Sequence, residues 1–370
     1  MMKLTSLVTH LPGLGALTVA WVTLSPLTSF AQEYQQTNLV ANTSQPGAST
    51  VDPNVVNPWG IARSSTGPWW LSDQGKGVST IFNGIGQAAP PVLVTVPSAG
   101  QAATGSPTGI VFNGSSDFEV ASGKPGIFIF ATFDGTISAW NPQVDATVAV
   151  VKVKPTPGSV LTGATTAQSK GQNFLYVADV HEGKIRVFDT NFSPVKTPGD
   201  AFRDNHLSHK FVPFNIQNIG GNLYVAFAKQ NQAKNFVDLG PNLGAIAVFS
   251  PEGQLLQRFD RDSKVNAPWG LVQAPTDFGS FSHSILVGQF GSGEILAFDA
   301  VTGSLQGALE DQNGQPITLP GLWAIAFGAG NTNSGAANAL YFNAGINQET
   351  GGLFGTLTPV ASDLTQGNDQ

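Results

Sequence analysis

One pattern recurs six times along this chain and constrains its fold more than any other feature. Each copy opens with a small or aromatic residue, usually beside glycine, and continues through a short apolar run into two strands joined by a Gly-containing turn. The equivalent positions in the six openings are Trp59, Thr108, Thr162, Phe214, Trp269 and Trp323. Successive positions in this series are 49, 54, 52, 55 and 54 residues apart. Such regular spacing indicates a repeat architecture in which each copy is one structural unit.

The strands within each copy are short, rich in β-branched and aromatic residues, and alternate with a period of two. A further strand follows in most copies, for example at residues 91–96 and 254–259. The last copy lacks one, whereas residues 34–40 form a spare strand near the other end. We therefore predict an all-β, six-bladed β-propeller whose ring is closed by the N-terminal strand pairing into the last blade.

The first 31 residues have the three parts of a secretory signal peptide. Lys3 is their only Lys, Arg, Asp or Glu, an apolar run spans residues 14–24, and Ser29 and Ala31 are the small residues that a signal peptidase reads. An uncleaved anchor is the alternative. We predict cleavage after Ala31, a propeller over 32–360, a polar tail over 361–370, and a secreted or periplasmic protein with no membrane span in its mature chain.

Composition excludes several classes of function. The chain has no cysteine, so neither disulfides nor Cys-ligated metal sites can form. The net charge of −7 argues against a nucleic-acid partner or an anionic membrane surface. No phosphate loop, dinucleotide fingerprint or nucleophile elbow occurs, so the sequence identifies no catalytic residue. We predict a monomer that binds an extracellular or periplasmic ligand or protein.

Several motifs resemble a known family. They lie at residues 34–40, 57–60, 130–137, 213–218, 267–270 and 352–355. Together they resemble a family of exported bacterial propeller proteins, some of which carry a C-terminal sorting tail with a Pro-Glu-Pro motif that is not seen in this sequence. More distantly, the repeat is similar to the NHL repeat and to calcium-dependent propellers of the gluconolactonase and paraoxonase type. The resemblance implies export and a propeller fold, and it supplies no catalytic residues.

The openings and hairpin turns of a propeller surround one mouth of its central channel, where ligand sites are common. The candidate ligand-binding residues at this mouth are Trp59, Asp134, Asp179, His181, Glu182, Phe214, Trp269 and Trp323. The large aromatic side chains either form a platform for a sugar or other ring, or wedge adjacent sheets apart. Asp179, His181 and Glu182 crowd one turn, which either tunes His181 for proton transfer or is an ordinary solvated turn.

A divalent cation such as calcium is a possible cofactor. Calcium takes six to eight oxygen ligands, and Asn57, Asn215 and Asn266 are of a suitable type, although Asn also caps turns. His206 and His209 by themselves form an incomplete metal site. Two functions remain open: a ligand-binding or interaction scaffold acting through the channel-mouth face, and a metal-dependent lactonase or esterase-like hydrolase of the gluconolactonase type.

Overall fold

Six sheets of mainly antiparallel strands, arranged as the blades of a propeller, form the main body of the structure. The computed structural model describes residues 33–99 and 104–360; the predicted signal peptide and polar tail lie outside the described residues. The chain enters with β1 (Tyr34–Ala41) and β2 (Thr50–Val51). Within the described residues, no helix has the length and apolar character needed to span a membrane.

The first three blades follow in chain order. Blade 1 consists of β3 (Pro58–Ala62), β4 (Trp69–Asp73), β5 (Val78–Phe82) and β6 (Ala88–Thr95). In the next sheet, a small separate hairpin, β8 (Glu119–Ala121) and β9 (Lys124–Pro125), interrupts blade 2, which consists of β7 (Pro107–Phe112), β10 (Phe128–Thr132), β11 (Ile137–Trp140) and β12 (Val150–Val153). Blade 3 consists of β13 (Leu161–Ser169), β14 (Gln172–Asp179), β15 (Lys184–Phe188) and β16 (Pro194–Val195).

The last three blades complete the circle. Blade 4 consists of β17 (Phe211–Ile219), β18 (Asn222–Lys229), β19 (Gly244–Phe249) and β20 (Leu255–Arg258). Blade 5 consists of β21 (Pro268–Gln273), β22 (Ile285–Gln289), β23 (Ile295–Phe298) and β24 (Leu305–Ala308), with a 3-10 helix at Gly279–Phe281. Blade 6 consists of β25 (Leu322–Phe327), β26 (Leu340–Ala344) and β27 (Leu353–Pro359), joined by β1 and β2.

The first strands of neighbouring blades contact one another all the way round, from β3 through β7, β13, β17, β21 and β25 back to β3. These are the strands that carry the six openings, so the openings line the central channel. Strand β1 pairs antiparallel with β27, from Tyr34 opposite Pro359 to Ala41 opposite Leu353. Both the six-bladed propeller and its closure by the N-terminal strand are therefore confirmed.

The core is divided between the blades. Each of the six interfaces between neighbouring blades has its own apolar cluster, and another cluster fills the centre. Central strands are consequently buried on both faces, as in β4 and β5, where every residue is buried. The period-two alternation therefore does not separate buried from exposed residues there, and small polar residues such as Ser72 and Ser79 lie inside.

We expect the closing strand to be essential for stability. Deleting residues 32–45 should lower the melting temperature strongly, because it exposes the edge of β27 and opens the core. Val40, which is fully buried, and Gln36, which is exposed, provide a matched pair on β1. In urea unfolding, Val40→Asp should cost about 3–5 kcal/mol because its charge is buried and unpaired, and Gln36→Asp less than about 0.5 kcal/mol. A truncated protein as stable as the intact chain would contradict the closure.

Candidate functional site

The glycines of the openings are required by the close approach of neighbouring inner strands. A methyl carbon placed on Gly109 would lie 2.6 Å from the backbone nitrogen of Ala164, and one on Gly270 would lie 2.7 Å from the carbonyl oxygen of Trp323. The channel that remains is narrow: a cavity of about 80 Å³ lies among the first strands of all six blades. Its walls come too close together for a ligand larger than a few water molecules.

Hydrogen bonds connect the openings of neighbouring blades. The hydroxyl of Thr108 donates to the carbonyl oxygen of Leu161 at 2.8 Å, and the hydroxyl of Thr162 donates to that of Phe214 at 2.7 Å. The amide of Asn215 donates to the carbonyl oxygen of Trp269 at 2.7 Å. The polar groups of these openings therefore hold blades 2 to 5 together.

Seven aromatic side chains, here called the aromatic plug, fill the channel mouth. They are Trp59, Phe133, Phe214, Phe236, Trp269, Phe290 and Trp323. Trp323 lies between Trp59 and Phe290, with stacked ring centroids 3.6 Å and 4.0 Å away. All four predicted aromatic ligand contacts, Trp59, Phe214, Trp269 and Trp323, are at most 4% exposed. The structure brings these four side chains together, but their faces contact other protein rings.

The predicted acidic ligand contacts brace turns. Asp134 accepts hydrogen bonds from the hydroxyls of Thr132 and Thr136 at 2.8 and 2.6 Å, and from the backbone of Ser106 at 3.2 Å. Asp179 is fully buried and accepts from the hydroxyl of Ser159 at 2.7 Å. Each carboxylate therefore connects its hairpin turn to the segment that leads into the first strand of the same blade.

The three asparagines considered as metal ligands are also engaged, at different parts of the rim. Asn57 accepts a hydrogen bond from the indole of Trp323 at 2.9 Å, across the seam between blades 6 and 1. Asn266 accepts from the backbone of Gly240 at 2.7 Å, and Asn215 bonds the next blade as described above. In residues 33–99 and 104–360, no group of three or more His, Asp or Glu side chains could hold a metal ion. Calcium binding therefore stays a prediction.

We expect purified protein to retain substoichiometric calcium after dialysis, because the amides of the openings are not joined by a set of carboxylates. Elemental analysis of the dialysed full chain measures this directly. One equivalent of calcium that survives dialysis, together with lactone hydrolysis that a chelator abolishes, would instead support the hydrolase.

Two equivalent carboxyls at this mouth have different partners. Asp73 ends β4 and Asp179 ends β14, and the residue seven positions later is Thr80 in blade 1 and Arg186 in blade 3. Arg186 lies 3.7 Å from the Asp179 carboxylate. One oxygen of Asp73 accepts hydrogen bonds from the Thr80 backbone and hydroxyl, at 2.9 and 2.7 Å, and its other oxygen has no hydrogen-bond partner among the described residues. Burial therefore raises the pKa of Asp73 well above its ordinary value, despite the hydrogen bonds from Thr80.

We expect asparagine at these two positions to have opposite effects. Because folding raises the pKa of Asp73, the contribution of this residue to the free energy of unfolding is fully present at a pH below its unfolded-state pKa. The contribution is lost as pH rises through the folded-state pKa. Asp73→Asn should thus gain stability relative to the wild type as pH rises from 4 to 8. Asp179→Asn should lose about 1–3 kcal/mol at pH 7, because Arg186 loses its carboxylate. Urea unfolding across this pH range tests both, and equal effects at the two positions would contradict the assignment.

Glu349 is a residue of the mouth that sequence reasoning missed. It accepts a hydrogen bond from the Asn57 amide at 2.8 Å, and burial raises its pKa although this hydrogen bond opposes the shift. Asn347, Gln348 and Glu349 have φ angles of 54°, 56° and 65°. Consecutive left-handed residues other than glycine are strained, so tertiary contacts hold this turn, and no sequence signal marks it.

A large cleft opens on the same rim between blades 3 and 4. This rim cleft has a volume of about 1010 Å³ and is lined by residues 181–183 and by parts of 202–213 and 227–238. It brings His181 and Glu182 together with the two longest segments between strands, 196–210 and 230–243. Asp134, Asp179 and the plug tryptophans are not among its lining residues. Long loops without regular structure are frequently functional, which is the sequence signal that could have located this cleft.

Sequence comparison identifies relatives in Acanthamoeba polyphaga mimivirus. "Uncharacterized protein R648" is 31% identical over 331 residues, covering 86% of this chain and 78% of that protein. "Uncharacterized protein L690" is 30% identical over 322 residues, covering 84% and 82%. The chain belongs to this family. No family model matches the chain, and the bacterial, exported family inferred from the motifs stays a prediction.

Among solved structures, this member of the family is similar in fold to virginiamycin B lyase from Staphylococcus aureus. The TM-score is 0.51 with 12% identity, and the match covers 89% of this chain and 99% of that chain. At this level of identity the similarity shows the propeller fold alone.

Proposed function

We propose that this protein is a propeller-type binding protein whose ligand occupies the rim cleft on the channel-mouth face. The observation that carries the proposal is the cleft itself. Its volume of about 1010 Å³ is at the upper end of the range for ligand sites, and polar side chains converge on it. By contrast, the narrow channel is closed at this mouth by the aromatic plug.

The cleft has walls held in place from both blades. On the blade 3 side, the His181 ring packs over Gly158, and its Nδ1 lies 3.2 Å from the carbonyl oxygen of Lys234 in blade 4. This geometry favours Nδ1 as the donor, because a carbonyl oxygen can only accept. The side-chain amide of Gln230 donates to the carbonyl oxygens of Val180 and His181, at 2.5 and 3.2 Å. A ligand would thus meet a surface that is ordered before binding, which reduces the entropic cost of association.

The proposed cellular location rests on the N-terminal sequence and not on the cleft. We propose export to the periplasm or the cell exterior, which is supported by the charged, apolar and small-residue parts of residues 1–31. The alternative function, a metal-dependent hydrolase, is tested by measuring calcium and lactone hydrolysis in the dialysed full chain.

Filling the cleft tests the proposed function. A thermal-shift screen of oligosaccharides, lactones and cell-envelope fragments identifies ligands of the full chain, and calorimetry measures their dissociation constants. Asn205→Trp and Gln232→Trp place large side chains at exposed positions of the cleft lining. We expect them to abolish binding, because the ligand and the new side chains require the same volume.

Two kinds of variant complete this experiment. His181→Ala should weaken binding at least tenfold, about 1.4 kcal/mol, because the His181 ring forms the wall of the cleft on the blade 3 side. Asn191 and Asn222 are exposed residues at turns on the opposite rim. As controls, Asn191→Trp and Asn222→Trp should bind the ligand with the affinity of the wild type. If the cleft-filled variants bind ligands with unchanged affinity, the ligand site lies elsewhere.

A further inference from the structure

The rim cleft concentrates charge in a chain that is otherwise poor in it. Seven of its twenty-one lining residues are Asp, Glu, Lys or Arg, whereas such residues make up 11% of the whole chain. Three of the seven are acidic and four are basic. The net charge that a ligand would meet in the cleft depends on which of these groups already form ion pairs within the protein.

All three acidic groups of the lining are neutralised by neighbouring cations. Glu182 is paired with Lys184 at 2.9 Å. Asp238 is paired with Lys229 at 3.1 Å, and Asp204 with Arg258 at 2.8 Å. Two of these cations, Lys184 and Arg258, lie outside the lining.

Three basic groups of the lining have no such partner. Across residues 33–99 and 104–360, the side chains of Arg203, Lys210 and Lys234 form no ion pair. The protein carries a net charge of −7, so the cleft is a local reversal of the overall sign. A cleft with unpaired cations attracts and binds anionic groups.

The backbone around these cations is held in place. Lys234 has a φ of 56° and lies in a turn closed by hydrogen bonds from its own nitrogen to Asn231 and from Asn231 to Phe236, at 3.1 and 3.0 Å. Phe236 belongs to the aromatic plug, which anchors this turn. The carbonyl oxygen of Lys210 accepts a hydrogen bond from Gln230 at 2.7 Å. The backbones of Lys210 and Lys234 are therefore anchored on two different loops.

The floor of the cleft is apolar. Phe202, Phe227 and Val212 are buried among the lining residues, and Phe211 is half-buried there. The guanidinium of Arg261 lies 5.1 Å from the centre of the Phe211 ring, which adds a cation near this wall. Such a floor accommodates the apolar face of a sugar or an aromatic group.

We propose that the ligand of the rim cleft is an organic anion, a carboxylate or phosphate ester on a sugar-sized or aromatic body, bound by Arg203, Lys210 and Lys234. This inference rests on the proposed function, because it assigns the chemistry of the same cleft. The anionic group contacts the three cations, and the body of the ligand lies against the apolar floor.

Matched probes that differ in charge test the inference on the full chain. The pairs are galacturonate with galactose, glucose 6-phosphate with glucose, and 2-naphthyl phosphate with 2-naphthol, measured by calorimetry at low and high salt. We expect at least one anionic member to bind at least tenfold more tightly than its neutral counterpart. Its affinity should fall as salt is added, because exposed charges are screened.

Charge-removing variants locate the interaction. The triple variant Arg203→Gln, Lys210→Gln, Lys234→Gln should weaken binding of the anion at least tenfold. A control triple variant, Lys76→Gln, Lys124→Gln, Lys170→Gln, removes the same charge away from the cleft and should change the affinity less than twofold. The melting temperature of each variant shows that the fold is retained.

The outcomes separate the inference from the proposed function. If neutral and anionic members bind equally and Asn205→Trp with Gln232→Trp abolishes both, the cleft is a ligand site but not an anion site. If the two triple variants weaken the anion equally, general electrostatic attraction explains binding and the inference is overturned. If none of the six probes binds, the inference is wrong, and the wider screen with neutral sugars and lactones decides the proposed function separately.

Discussion

The pairing of β1 with β27 is the interaction on which the rest of the structure depends. Blades of a propeller pack on their neighbours, so an open ring would expose two sheet faces and an unpaired edge. The same seam is closed near the channel by Asn57, which accepts a hydrogen bond from Trp323 and donates one to Glu349. Residues between 266 and 325 positions apart in sequence therefore hold the two ends of the ring together at its inner and outer edges.

Closure also determines where open space remains on the channel-mouth face. Glycines at the openings let the inner strands approach until only about 80 Å³ remains in the channel, and seven aromatic side chains fill the mouth above it. The aromatic residues that the sequence placed around this mouth pack against one another there; they are Trp59, Phe214, Trp269 and Trp323. Space for a ligand arises instead at the periphery of the same rim, where the long loops of blades 3 and 4 extend beyond the packed strands.

Differences between equivalent positions give the blades different chemical properties. The second strands of blades 1 and 3 both end in a buried Asp, but one faces Thr80 and the other Arg186. The residue after the opening position is Gly in four blades, Ala324 in the sixth and Asn215 in the fourth, where the side chain bonds the next blade. Blade 4 further departs from the repeat through residues 230–243, which supply Phe236 to the plug and Lys234 to the cleft.

The sequence by itself determined the repeat, the number of blades and the closing strand, because spacing and strand pattern are local properties that survive without knowledge of contacts. It also placed His181 and Glu182 on the same rim as the openings, since hairpin turns of a propeller all lie on one of two faces. Only the tertiary structure decided that Trp59, Phe214, Trp269 and Trp323 cover one another and that Glu349 reaches Asn57. It also decided that Arg203, Lys210 and Lys234 form no ion pair with any other residue that the structure describes. These outcomes depend on distances between residues far apart in the chain, and on which charges find partners, and no periodicity in the sequence encodes them.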